Sequence, residues 1–319
     1  MHSTTLEPTV TLADARALFR GGRGYLGACT MGLPSSDTLT ATLIDAERWA
    51  RGEATVGGYA DTVERVRASY AGLVGVGVDR VAIGAQASVF TGMVAAGLPD
   101  GSEVLCVDGD FSSMVFPFLG QAHRGLRVRH VPLAELAASV GPNTALVVFS
   151  LVQSASGAIA DVDAITAAAR LHGARTLCDT TQASGWMPVD AALFDATICH
   201  SYKWLCAPRG VAFFTVSAAF QCELRPLHTG WYAGEDPLAA CYGPTMELAA
   251  SARRFDASPP GRPGSARSRP SSCSVGSTST PSGRTRSGSP TRSAPGSASS
   301  RAARPSWRGR MPTAPPSAR

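Results

Sequence analysis

Along residues 59–216 the chain alternates between two hydrophobic patterns. Short apolar runs occur at Val81–Ile83, Glu103–Val107, Val128–Val131, Ala145–Phe149, Arg175–Cys178, Ala196–Cys199 and Val211–Val216. Runs this short, continuous rather than alternating, are what strands buried on both faces require. Between them lie stretches with helical spacing. Residues 59–75 place Val63, Val66, Tyr70, Leu73 and Val74 on one predicted helical face, and further helices are predicted over 89–97, 113–121 and 161–172. The last begins at Asp161, a good N-cap. Buried strands alternating with helices predict an α/β fold with a mostly parallel sheet.

The pattern stops at Ala257. From there to Arg319 the chain holds 17 Ser, 11 Pro and 11 Arg, and the larger residues are only Cys273, Val275, Trp307 and Met311. Ordering these 63 residues would cost on the order of 60–120 kcal/mol, which four scattered larger side chains cannot offset. Residues 257–319 are therefore expected to be a disordered tail. Charge changes the picture of the whole chain at the same boundary. The formal net charge is +5, but residues 1–256 hold 18 basic and 24 acidic residues and the tail holds arginine with no acid. The body is mildly acidic and only the tail is basic. Such a tail has two readings. One is a nucleic-acid-binding arm, although it has only Trp307 for base stacking. The other is a frameshift product: GC-rich codons for residues 261–283, read one base out of frame, can encode an apolar, helix-patterned peptide. The frameshift reading is preferred, and nucleic acid is not expected as a partner.

No run of 18 apolar residues marks a membrane helix, and no basic start followed by an apolar stretch marks a secretory signal. The eight cysteines form no C-x-x-C pair and no zinc spacing. They are expected to be reduced thiols in a cytoplasmic protein.

Candidate chemistry gathers where predicted strands end, the edge at which open α/β sheets bind ligands. After Ile83, the small-residue turn Gly84–Ser88 opens a helix, whose free N–H groups attract phosphate. Phe111 follows the strand 103–107 in "VDGDFSS" and could lie flat against a planar ring. Asp179 closes the strand 175–178, where a carboxylate is costly without a cationic or donor partner. A protonated pyridine nitrogen is a suitable one, with Gln182 in reach of a phenolic oxygen. Finally, "HSYKWLCAPRG" (200–210) carries Lys203, the only lysine among 29 basic residues. Coding bias alone could leave one lysine by chance. Chemistry gives another reason: an arginine cannot be deprotonated to a nucleophilic amine, whereas a lysine can.

These residues carry a resemblance. "D-x-x-Q-A-x-G" at 179–185 and "S-Y-K-W-L-x-x-P-x-G" at 201–210, supported by "S-x-V-x-S-x-x-G-x-I-x-D" at 150–161, resemble the class V aminotransferase family of pyridoxal 5'-phosphate (PLP) enzymes. This fold type I group includes kynureninases, cysteine desulfurases and isopenicillin N epimerase-like proteins. The resemblance covers about residues 20–256. It implies a PLP-binding large domain over 41–256 after an N-terminal segment 1–40. The family's C-terminal small domain would be missing or replaced by the tail, and with it the arginine that holds the substrate carboxylate. It implies that Lys203 is the Schiff-base lysine, that Asp179 holds the pyridine nitrogen and that Gln182 holds the phenolic oxygen. The Ala87 amide, Ser88, His200 and Tyr202 would surround the phosphate. Phe111 would stack on the ring, and Trp231 would reach the cofactor of a neighbouring subunit in a homodimer. The expected substrate is an amino acid, converted by transamination or kynureninase-like lyase chemistry, with this chain expected to be incomplete on the substrate side and its activity left open. Two rivals remain from the residues alone: a cofactor-free Schiff-base enzyme, which leaves Ser88, Asp179 and Phe111 without a role, and a non-catalytic body with an arginine-rich tail.

Overall fold

The computed structural model describes residues 11–19 and 21–258. The expectation for the tail falls almost wholly outside them. Seven strands form one sheet: β1 (Val81–Gly84), β2 (Glu103–Val107), β3 (Arg127–Val131), β4 (Thr144–Ser150), β5 (Arg175–Asp179), β6 (Ala196–His200) and β7 (Ala212–Val216), in the order β1-β7-β6-β5-β4-β2-β3. β7 runs antiparallel to both its neighbours, and the other pairings are parallel. The predicted α/β class and mostly parallel sheet are what the structure has.

The helices are α1 (Leu12–Ala17), α2 (Ser36–Ala50), α3 (Val56–Leu73), α4 (Ala87–Gly97), α5 (Ser112–Leu119), α6 (Leu136–Ser139), α7 (Val162–His172) and α8 (Ala218–Glu223). They cover both sheet faces, giving two cores. One joins Tyr70, Leu136 and Ile165 to the sheet through Phe149 and Phe213. The other joins Phe90, Met114, Phe118 and Phe220 to it through Leu146 and Phe214. Two stacked ring pairs, Tyr70 on Phe213 and Phe90 on Phe214, lock α3 and α4 to opposite faces of β7. Asp161 caps α7 as expected, accepting from Ala164 N at 3.0 Å, and Gly173 ends that helix at φ +70°.

The face of α3 departs from the sequence expectation. Val66 and Leu73 are exposed, while Arg67, Tyr70 and Ala71 are buried. A charged residue replaces an apolar one in the stripe because its charge is matched. The Arg67 guanidinium, 1% exposed, meets Asp256 at 2.6 and 3.2 Å and donates to the Val81 carbonyl at 2.7 Å. Asp256 in turn accepts from Ile83 N at 2.7 Å, and Ala257 N donates to the Ile83 carbonyl. These contacts satisfy the outer edge of β1, which has no further strand beside it among the described residues.

Asp256→Ala leaves the buried Arg67 guanidinium with only the half-exposed Glu64 carboxylate and leaves Ile83 N without its acceptor, so it should cost about 3–5 kcal/mol. An Arg67→Met/Asp256→Leu double variant should recover only part of that loss, because Val81 O and Ile83 N stay without their partners. Urea unfolding of the three proteins measures both, and additive losses in the double variant would contradict the pairing.

Candidate active site

Six strand ends and the turns beyond them form one edge of the sheet. Because β7 is antiparallel, it begins at that edge instead of ending there. A cavity of about 420 Å³ opens at this edge. Its wall includes Ala87 and Ser88 at the start of α4, Phe111 after β2, Asp179 at the end of β5, and His200, Tyr202 and Lys203 after β6. Seven of the nine residues singled out in the sequence therefore meet around one space.

Each is placed by a local device. α4 starts without a side-chain cap from Gln86, so its first-turn N–H groups beside Ala87 and Ser88 are open to a ligand. Phe111 is positioned through Asp110, whose carboxylate accepts from Ser150 N at 2.8 Å, from Ser150 Oγ and from Phe111 N. That clamp ties the turn after β2 to the end of β4 and leaves the Phe111 ring 43% exposed, 5.4 Å from the Lys203 amine. β5 runs one residue further than its apolar pattern because Asp179 still pairs in register with Ser150 and Ile198. Its carboxylate accepts from Thr181 N at 2.8 Å. Burial raises its pKa, which the Thr181 bonds partly oppose.

Lys203 is only 7% exposed. Burial pushes its amine below the usual lysine value, the Asp179 charge partly opposing. His200 is pushed down from 6.5 to about 4, first by burial and then by the positive charge of Arg209. Its Nδ1 is buried with no hydrogen-bond partner among the described residues. An orphaned polar atom in a cavity wall is what a site built for a polar ligand leaves behind.

The two remaining residues lie elsewhere. Gln182 does not line the cavity: its Nε2 donates to the Cys29 carbonyl at 3.0 Å and to Ser154 Oγ at 3.1 Å, and its Oε1 accepts from Trp204 Nε1 at 2.9 Å. Gln182 thus joins three segments of the site's frame. Trp231 packs edge-on against Tyr232 in a short 3-10 turn, also away from the lining.

The frame has two further close fits. Gly32 N donates to the Tyr202 carbonyl at 2.8 Å, and a Cβ on Gly32 would lie 2.0 Å from the Lys203 carbonyl oxygen. Gly185, at φ +109°, similarly leaves room for the Trp204 carbonyl. Both glycines let other segments press on the backbone of the lysine turn.

The sequence reading missed Thr181, Ser113 and Arg209 as lining residues. Thr181 lies inside the quoted motif, and its hydroxyl accepts from His200 N at 2.9 Å. Arg209 also stood in the quoted stretch, but nothing separated it from the other arginines. Only the strand order brings it to the edge. Among the described residues no cluster of His, Cys, Asp or Glu could hold a metal, and no helix is long and apolar enough to cross a membrane.

The sequence profile of the aminotransferase class-V family matches residues 65–257, more than half of the chain. The chain belongs to this family. It is 30% identical to isopenicillin N epimerase of Streptomyces clavuligerus over 183 residues, covering 52% of this chain and 46% of that protein. It is also 30% identical to kynureninase of Deinococcus radiodurans over 217 residues, 65% of this chain and 52% of that protein. The chain thus spans about half the length of the curated relatives it matches. Among solved structures it resembles C-DES with glycine covalently linked to its PLP cofactor (TM-score 0.66, 21% identity, 74% of this chain and 66% of that one). It also resembles the apo cysteine desulfurase of Thermococcus onnurineus (TM-score 0.63, 19% identity, 74% and 63%). At these identities the structures establish the shared fold.

Two predictions follow from the geometry. A methyl group at Gly32 must displace the lysine turn, so Gly32→Ala should cost about 1–3 kcal/mol of stability, read from denaturant midpoints. For His200 the folded pKa is depressed. Its contribution to stability is full above about 6.5 and is lost as pH falls towards about 4, where the unfolded chain binds a proton that the folded chain refuses. A His200→Gln variant should therefore lose less stability between pH 7 and pH 5 than the parent, and equal losses would show that His200 does not titrate this way.

Proposed function

We propose that the chain is the PLP-binding part of an enzyme acting on an α-amino acid. The observation that carries this reading is the convergence on one cavity of a buried lysine of lowered pKa, a buried carboxylate with spare acceptor capacity, an exposed phenyl ring and an uncapped helix start. Membership of the family and the cofactor of the solved C-DES relative support the same cofactor.

The residues fit the group part by part. Lys203 would hold the aldehyde carbon. Asp179 would hold a protonated ring nitrogen, a partner that would relieve the burial cost of its charge. The Phe111 ring would cover one face of the pyridine and keep water from it. The α4 start with Ser88, together with Tyr202 and His200, would hold the phosphate. When bound, PLP supplies an electron sink for negative charge developing at the amino acid's Cα. The protein's own part is to orient and to move protons. Burial lowers the pKa of the Lys203 amine, so it gives up its proton more readily than an exposed lysine, and freed from the aldehyde carbon its Nζ would be the group placed to take a proton from a substrate carbon and return it. His200, held neutral, can share a hydrogen bond without adding charge.

For Gln182 to reach a ring oxygen, its amide would have to exchange one of its present partners. We assign the reaction to transamination or kynureninase-like lyase chemistry. A homodimer is proposed as well: α2 has no buried residue and exposes Leu39, Leu43 and Ile44, an apolar face suited to a second copy. Trp231 would then contribute across the interface.

The test is the visible absorption of purified protein with added PLP, beside Lys203→Ala. The parent should show a yellow band that borohydride removes, and the variant should not. A soluble, folded parent without such a band, or an equal band in the variant, would overturn the assignment. Sedimentation of the same sample reads the proposed dimer.

A further inference from the structure

Arg209 was given no role by the motifs, yet it stands in the cavity wall. Its place follows from register. Ala212, the first residue of β7, pairs with Gly84 on one side and His200 on the other. The residues just before Ala212 therefore lie between the turn into α4 and the segment leading to Lys203. There the Arg209 guanidinium sits 4.4 Å over the Tyr202 ring, and Tyr202 meets His200 edge-on at 4.5 Å. Among the described residues Arg209 forms no ion pair within 4.0 Å.

The charges along the edge are sorted. At the β1–β7–β6 end are the uncapped start of α4, the fixed charge of Arg209 and an imidazole kept neutral. The acid in the lining, Asp179, is one strand further on, at β5. A neutral His200 cannot balance a phosphate dianion, so the charge at that end must come from elsewhere. Stacking on an aromatic face leaves the edge N–H groups of a guanidinium free, and their fork matches phosphate oxygens.

We infer that Arg209, stacked on Tyr202, is the cationic half of a phosphate-holding subsite whose other half is the start of α4. This rests on the cofactor reading above. It adds to that reading that the ligand is recognised by a phosphate at the β7 end and a positive nitrogen at the β5 end.

The experiment titrates full-length parent, Arg209→Met and Arg209→Lys with PLP and with pyridoxal, which lacks the phosphate. Visible absorption reports binding, and circular dichroism confirms that each variant is folded. Arg209→Met should bind PLP about tenfold to hundredfold more weakly, the loss of one charge-assisted contact, with pyridoxal unchanged. Arg209→Lys should recover only part, because an ammonium lacks the fork. Inorganic phosphate should compete with PLP in the parent and less in Arg209→Met. Equal weakening of PLP and pyridoxal would overturn the inference, since Arg209 would then only shape the cavity. Unchanged PLP binding with weakened amino-acid binding would also overturn it, placing Arg209 on the substrate carboxylate. The two readings fail separately. A parent with no PLP band that still binds inorganic phosphate by calorimetry, in an Arg209-dependent way, would sink the cofactor and uphold the anion subsite. A parent that binds neither PLP nor phosphate would sink both.

Discussion

The buried pair between Arg67 and Asp256 holds the edge of the sheet on which the site depends. β1 is a four-residue strand that, among the described residues, has a neighbouring strand on one side only. Its outer polar groups would be unsatisfied without the guanidinium at Val81 O, the carboxylate at Ile83 N and the amide of Ala257. With the edge closed, β1 can pair with β7. That pairing brings the start of α4 alongside the turn that precedes β7, where Arg209 and Gly210 line the cavity. The end of the cavity formed by the start of α4 is thus supported by an ion pair between residues 189 positions apart. Neither partner lines the cavity.

Much of the fold was legible because strands buried on both faces leave a plain trace. The run Glu103–Val107 became β2 without a change of boundary. α7 was equally clear, since its cap and periodicity agree. Burial on α3 was less so. Sequence spacing assigns apolar residues to the inner face, but Arg67 earned that place through a partner on a distant segment, which periodicity cannot reveal. The site divides in the same way. Asp179, Lys203 and Phe111 were readable because a costly or exceptional residue stood at the end of an apolar strand. Gln182 was readable as part of a motif, while its hydrogen bonds to Cys29, Ser154 and Trp204 were not, because they come from three separate stretches. Arg209 was hidden among the arginines, and only the reversal of β7 distinguishes it.

The motifs also acquire a physical meaning beyond their chemical residues. The stretch 179–185 and the stretch 200–210 hold each other. Thr181 accepts from the His200 backbone, Gln182 accepts from the Trp204 indole, and Gly185 makes room for the Trp204 carbonyl. Each motif thus includes residues that position the other, and these contacts add to the pairing that Asp179 itself makes with β4 and β6.

The reversal of β7 has a consequence for how this region can vary. His200 and Ala212 are paired across β6 and β7, so the chain leaves the rim and returns to it within one turn. Side chains alternate faces along a strand, so a one-residue insertion or deletion in that turn would present the wrong face of β7 to both cores. The same change would slide Arg209 along the rim relative to Lys203. The length of this loop is therefore constrained twice, once by packing and once by the spacing of two charges. Substitutions there can be absorbed singly, whereas a change of length would alter the core and the cavity together.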